Sequence, residues 1–161
     1  MITKDNLRNL LTCLGFQQSE TVQDEMNLHF DNTNCTIAVD FSNEKIIYPE
    51  GIEADRDTTK NFSANENFVV LECVVGLIAQ GYKPENILLE PKTPGGREDS
   101  HFYCDILIRD NDKRPYMLIE CKTMDGKEDD EFNKAWKKTL QDGGQLFNYY
   151  NTYRQAQYLV L

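Results

Sequence analysis

The sequence predicts an α/β chain of the α+β kind: a mixed central sheet flanked by helices, preceded by an N-terminal helix and a β-hairpin. Two observations carry this. Apolar residues recur at helical spacing in a few stretches, and between them lie short apolar or alternating runs closed by Gly, Pro, Asn or Asp. From Ser63 onward the order reads helix, strand, strand, strand, helix, strand.

At the N-terminus, Leu7, Leu10, Leu11 and Leu14 share a helical face, and Gly15 supplies the C-terminal stop. "EMNLHFD" and "CTIAVDF" alternate and are split by the turn-like "DNTN", a hairpin. "KIIYPEG" is a third short strand, stopped by Pro49 and Gly51, and the polar "EADRDTTKN" is a boundary. Ser63 to Glu66 fits a capping box that opens the helix "ANENFVVLECVVGLIAQ", closed by Gly81. "NILLEP" is a strand and "KTPGGREDS" a Gly/Pro loop. "FYCDILIRD" and "PYMLIECKT" are strands joined by "NDKR". "FNKAWKKTLQD" and "QLFNYYNTYRQ" are helical on either side of Gly143 and Gly144, and "YLVL" is a closing strand.

With 161 residues the chain can bury one proper core. Residues 1–161 are expected to form a single domain, with 1–60 as an N-terminal extension (packed on or extending the main sheet) and 61–161 as the core. Five scattered cysteines without a C-x-x-C pair imply reduced thiols rather than a disulfide framework or zinc site. Two histidines are too few for a histidine-rich metal centre. No secretory leader and no membrane-length apolar run is present, so the expected location is cytoplasmic. A net charge of −10 argues against a free-standing nucleic-acid binder. The excess is heavier up to Phe62, with eleven acidic against five basic residues, than beyond it, with sixteen against twelve.

The stretch "LIECKT" places an acid and a base two positions apart at the end of an apolar strand. Alternation puts Glu120 and Lys122 on one face and Cys121 on the other. The pair is either a solvated strand edge or half of a catalytic site. Asp105, opening the preceding strand, can meet Glu120 near the same end of the sheet. Two carboxylates there form an oxygen-rich site of the kind Mg²⁺ takes, completed by water and substrate phosphate. A lysine alongside can orient or deprotonate an attacking water and offset phosphate charge. Metal-assisted phosphodiester hydrolysis requires such a trio.

Taken together, "CDILI", "LIECKT" and the Q-x-x-x-Y of "GGQLFNYY" resemble the PD-(D/E)XK nuclease fold, whose core runs αβββαβ. From about residue 46 to the C-terminus the chain resembles the N-terminal nuclease domain of type I restriction enzyme R subunits. It is similar too to the versions of that domain fused to N6-adenine DNA methyltransferases. The resemblance implies a metal-dependent endodeoxyribonuclease using Mg²⁺, with Mn²⁺ able to substitute. Asp105 and Glu120 would be metal ligands, Lys122 the catalytic lysine, and Gln145 and Tyr149 would orient DNA or that lysine. Glu66 on the first helix would be an extra acid, with Glu72 and Glu90 as alternatives; as the N3 residue of the capping box, Glu66 also has a purely structural role. Implied partners are double-stranded DNA and the specificity, methyltransferase or motor parts of a restriction-modification complex, of which this chain would be a fragment. No membrane partner is implied. The chain carries no helicase P-loop and no methyltransferase motif. It departs from the family pattern in the 23 residues separating Lys122 from Gln145 and in the bulky "SHFYC" before Asp105.

Other readings remain: a non-catalytic interaction module on the same fold, or a nuclease acting on another nucleic acid. Phe132, Trp136, Phe147, Tyr150 and Tyr153 are expected to be packing residues, with a base-stacking platform as the alternative. Lys137 and Lys138 are expected on a solvated helix face, with contact to DNA phosphates as the alternative. The "TPGGRE" loop is expected to flank the DNA cleft.

Overall fold

The computed structural model describes residues 1–94 and 101–161. The chain divides into two compact units, Ile2–Ile52 with Asp57–Glu85, and Met1 with Glu53–Arg56 and Asn86–Leu161. The helix predicted to open the core therefore clusters with the N-terminal strands, and the division does not fall at residue 60.

The first unit contains α1 (Leu7–Cys13), β1 (Gln17–Gln18), β2 (Glu25–Phe30), β3 (Cys35–Asp40), β4 (Lys45–Ile47) and α2 (Glu66–Ala79). Its strands form an antiparallel sheet of their own in the order β1-β2-β3-β4. The N-terminal hairpin thus builds a separate sheet and does not extend the main one. The strands follow their alternation: Ile37 and Val39 are buried while their neighbours are less so. An edge-to-face chain of rings, Phe41 to Phe62 to Phe68, ties the segment before α2 to the sheet. Asn32 Nδ2 donates to the Ile78 carbonyl at 3.1 Å and holds the hairpin turn to the end of α2. The predicted capping box does not form. Asn65 occupies the N-cap in αR geometry with no side-chain capping bond, and the Ser63 amide donates instead to Asn61 Oδ1. Burial drives this helix more than its cap does, since apolar side chains are buried on most of its faces.

The second unit holds β5 (Glu53–Ala54), β6 (Ile87–Leu89), β7 (Lys92–Pro94), β8 (His101–Tyr103), β9 (Ile106–Arg109), β10 (Pro115–Ile119), α3 (Glu131–Asp142), α4 (Gly144–Thr152) and β11 (Tyr158–Val160). Five strands form a mixed sheet in the order β11-β10-β9-β6-β5. β9 runs antiparallel to both β6 and β10, while β10 with β11 and β5 with β6 pair in parallel. Parallel pairing demands a crossover, and α3 with α4 provides it. The run "FYCDILIRD" is not one strand. It breaks at Cys104 and Asp105, so that β8 pairs with β7 in a two-stranded sheet and β9 enters the main sheet. The predicted loop after Lys92 begins as β7, and its remainder, with the reading of "TPGGRE" as a cleft loop, falls on residues 95–100, outside the described residues.

β6 and β9 are continuously apolar because both of their faces are buried. Leu88, Cys104, Leu107, Leu118, Leu146, Tyr149 and Ala156 form the core beside them. Among the described residues, no helix is long and apolar enough to cross a membrane.

The α3–α4 corner depends on glycine. Gly143 has φ 82°, and a Cβ there would stand 2.3 Å from the Phe147 ring. Gly143→Ala should therefore destabilise this unit by about 1 kcal/mol from the left-handed backbone alone, and by more where Phe147 must move. Urea unfolding followed by Trp136 fluorescence measures it; an unchanged midpoint would mean the corner tolerates a side chain.

Candidate active site

Strand register assembles the site. Ile106 pairs with Leu89 on one side and Ile119 on the other. One residue further, Glu90, Asp105 and Glu120 fall in a single row at the end of three adjacent strands. The Glu90 amide donates to the Asp105 carbonyl at 2.9 Å, and the Glu120 amide donates to the Val160 carbonyl at 2.9 Å, continuing the ladder to β11. The Asp105 side chain reaches across to β10, where Oδ2 accepts from the Cys121 amide at 2.6 Å. Beyond Ile119 the chain leaves regular strand geometry, yet Glu120 and Lys122 stay together, Nζ to Oε1 at 2.7 Å. Lys122 Nζ also donates to the Cys121 carbonyl at 3.0 Å.

This pair is not a solvated strand edge. The side chain of Glu120 is 3 % exposed and that of Lys122 13 %. A buried ion pair returns little net stability, because desolvation offsets most of the Coulombic gain. Its presence under the sheet end is therefore better explained by chemistry than by folding.

Behind the carboxylates stands Tyr149. Its hydroxyl donates to the Tyr103 carbonyl at 2.7 Å and accepts from Gln145 Nε2 at 3.3 Å. The one-turn spacing on α4 brings the two side chains together as predicted. Burial, then the negative charge of Glu120, pushes the phenol far above its ordinary value. Cys104 is treated the same way. Burial first, then Asp105 and Glu120, raise its thiol, whose Sγ donates to the Ile119 and Ile106 carbonyls at 3.2 and 3.3 Å. Both carboxylates thus raise the same two neighbouring groups. Cys121 is buried, as alternation predicts.

These raised values make the unit alkali-sensitive. Each group stays protonated when folded, while in the unfolded chain Cys104 ionises near pH 9.0 and Tyr149 near 10.0. The folded state binds more protons above those values, so stability is full below pH 9 and falls as pH rises. Cys104→Ala should move the onset of this loss from about pH 9 toward pH 10. Urea midpoints across pH 8 to 11 would show it, and identical profiles for the two proteins would refute it.

The donor set suits a hard cation. Asp105 and Glu120 offer carboxylate oxygens, whereas the neighbouring thiol is protonated and turned to backbone carbonyls, leaving no soft ligand on offer. Among the described residues, no three His, Cys, Asp or Glu side chains converge into a ready metal cage. Glu90 is buried at the row's edge, but its φ of 47° takes it out of strand alternation. Glu66, half-buried in the first turn of α2, and Glu72, exposed on the same helix, belong to the other unit.

Sequence reasoning missed two groups and placed a third, Lys138, on a solvated helix face. Tyr103 contributes the carbonyl that anchors Tyr149, and Arg56 sits over the Tyr103 ring at 4.4 Å. Lys138 lines a small cavity with Glu120, Gln145 and Leu161. No local pattern announces them, since each arrives from a distant part of the chain.

A mixed sheet with strands in this order, helices at its crossover and the acids at one sheet end define an α+β nuclease-like fold. A family model described as type I restriction enzyme R protein N terminus matches residues 72–161, and the chain belongs to that family. The match takes in every element from β6 to β11 and begins after Glu66. No curated protein matches the chain.

Proposed function

We propose that this chain is the Mg²⁺-dependent endodeoxyribonuclease domain of a type I-like restriction-modification system, cutting double-stranded DNA, with Mn²⁺ able to replace Mg²⁺. One observation carries the reading: a buried Glu120–Lys122 pair facing Asp105 at the end of the sheet in a member of this family. Asp105 and Glu120 would hold the cation, which when bound supplies a more acidic water and charge compensation at the phosphoryl group. The Cys121 amide orients Asp105. Lys122, with Nζ 2.7 Å from Glu120, would orient or deprotonate the attacking water and offset phosphate charge. Tyr149 and Gln145 brace the floor beneath Glu120. Glu66 is retained as the proposed extra acid.

The acidic surface is compatible with a domain that receives its DNA from other parts of a cytoplasmic complex carrying specificity, methylation or motor function. The test is cleavage of plasmid DNA by the intact complex with Mg²⁺, Mn²⁺ or chelator. Metal-dependent cutting that requires this chain supports the reading; equal cutting by a complex lacking it would defeat the reading.

A further inference from the structure

Several large apolar side chains of α3 and α4 lie outside the core, although Tyr149 of α4 is fully buried. Trp136 is 46 % exposed, Leu140 69 %, Phe147 56 % and Tyr150 37 %. Single exposed apolar residues are ordinary, but this many on two consecutive helices are not. Phe132, Trp136 and Leu140 follow one another at four-residue spacing, and the first two rings stack at 6.5 Å with 5° between their planes. α3 has no fully buried residue at all, so this stripe is not a core face.

The charge around it is also unlike the rest of the molecule. Residues 132–161 hold four Lys or Arg against one Asp, whereas residues 1–131 hold thirteen against twenty-six acids. Lys138 has no hydrogen-bond or ion-pair partner among the described residues, and it shares the cavity beside Glu120 with Gln145. Lys138 therefore links α3 to the proposed active site.

We propose that α3 and α4 form a platform for unpaired DNA, with Trp136 and Phe147 stacking on exposed bases and Lys137 and Lys138 meeting phosphates. Stacking on aromatic faces requires bases freed from their partners, and lysines tracking the backbone supply the salt-dependent part of the affinity. The inference rests on the nuclease reading and deepens it. The strand led to Glu120 and Lys122 would be locally opened rather than held in an intact duplex.

The experiment uses the 161-residue chain in chelator, so that binding is measured without cleavage. Labelled oligodeoxynucleotides of about twenty nucleotides, single-stranded or duplex, are titrated by anisotropy at low salt. Trp136, the sole tryptophan, gives an independent quenching signal. The single strand is expected to bind more tightly than the duplex and to quench Trp136. Trp136→Ala and Phe147→Ala should each weaken it roughly tenfold, while Trp136→Phe should largely restore it. Lys138→Ala should flatten the salt dependence by about 0.7 in the log–log slope. Equal affinity for both DNA forms, no binding at low salt, or aromatic variants that bind as well as the unaltered chain would each overturn the proposal. Self-association that Trp136→Ala abolishes while leaving oligonucleotide binding intact would overturn it too, and would assign the face to a protein contact. Single-strand binding without any metal-dependent cutting by the intact complex would leave the platform standing and defeat the nuclease reading instead.

Discussion

Asp105→Ala and Lys122→Ala are each expected to lower metal-dependent DNA cleavage by about 10²- to 10³-fold, the range seen when one charge-stabilising group is removed. Their effects on folding should differ. Asp105→Ala leaves the Cys121 amide without its side-chain acceptor, costing about 1–3 kcal/mol. Lys122→Ala strands the Glu120 carboxylate, 3 % exposed, without its cation, costing about 3 kcal/mol or more. Lys122→Arg separates stability from chemistry. It keeps a positive charge against Glu120 but replaces a compact ammonium with a broad planar fork, so folding should survive while cleavage is lost. A second readout is binding of Mn²⁺ followed by electron paramagnetic resonance. Asp105→Ala should weaken it, and Lys122→Arg should alter it much less. If the intact complex cut DNA at full rate with either alanine, the catalytic assignment would fall.

Tyr149→Ala is the substitution expected to disturb the fold most, by about 3–5 kcal/mol, because Tyr149 is among the largest fully buried side chains and lies in the core with Leu118 and Leu146. Tyr149→Phe keeps the ring and removes only the hydroxyl. It leaves the Tyr103 carbonyl without that donor and Gln145 Nε2 without that acceptor, about 1–3 kcal/mol. Trp136 stands in the same unit, so its fluorescence in a urea titration follows the right transition. A phenylalanine variant as unstable as the alanine one would mean that the hydroxyl network, not the ring, holds α4 to the sheet. Tyr149 is thus the keystone between α4 and the strands.

Much of this was legible from local pattern. Alternation in "CTIAVDF" placed Ile37 and Val39 inward, and four-residue spacing put Gln145 beside Tyr149. The alternation of "IECK" set Glu120 and Lys122 together and turned Cys121 into the core. Where the expectations failed, a tertiary force had outweighed a local one. The capping box at Ser63 gave way because α2 is held by burial of its apolar faces, and a cap worth about 1 kcal/mol does not decide such a helix. "FYCDILIRD" broke at Asp105 because one end pairs with β7 and the other with β6 and β10. The aromatics of α3 were expected inside because composition cannot distinguish a core stripe from an exposed one.

What the amino-acid sequence determined by itself is therefore not the short β1, β5 and β7 or the break between β8 and β9, but the longer elements, their order, and the residues that share a face within each. These follow from the chain's own periodicity, which acts over a few residues. Beyond the expected meeting of Asp105 and Glu120, which strands become neighbours was decided only by the folded structure, and with it the placing of Glu90 beside Asp105, the Tyr103 carbonyl beneath Tyr149, and Lys138 beside Glu120. Those contacts join residues fifteen or more positions apart, and no local period encodes a register between separate strands.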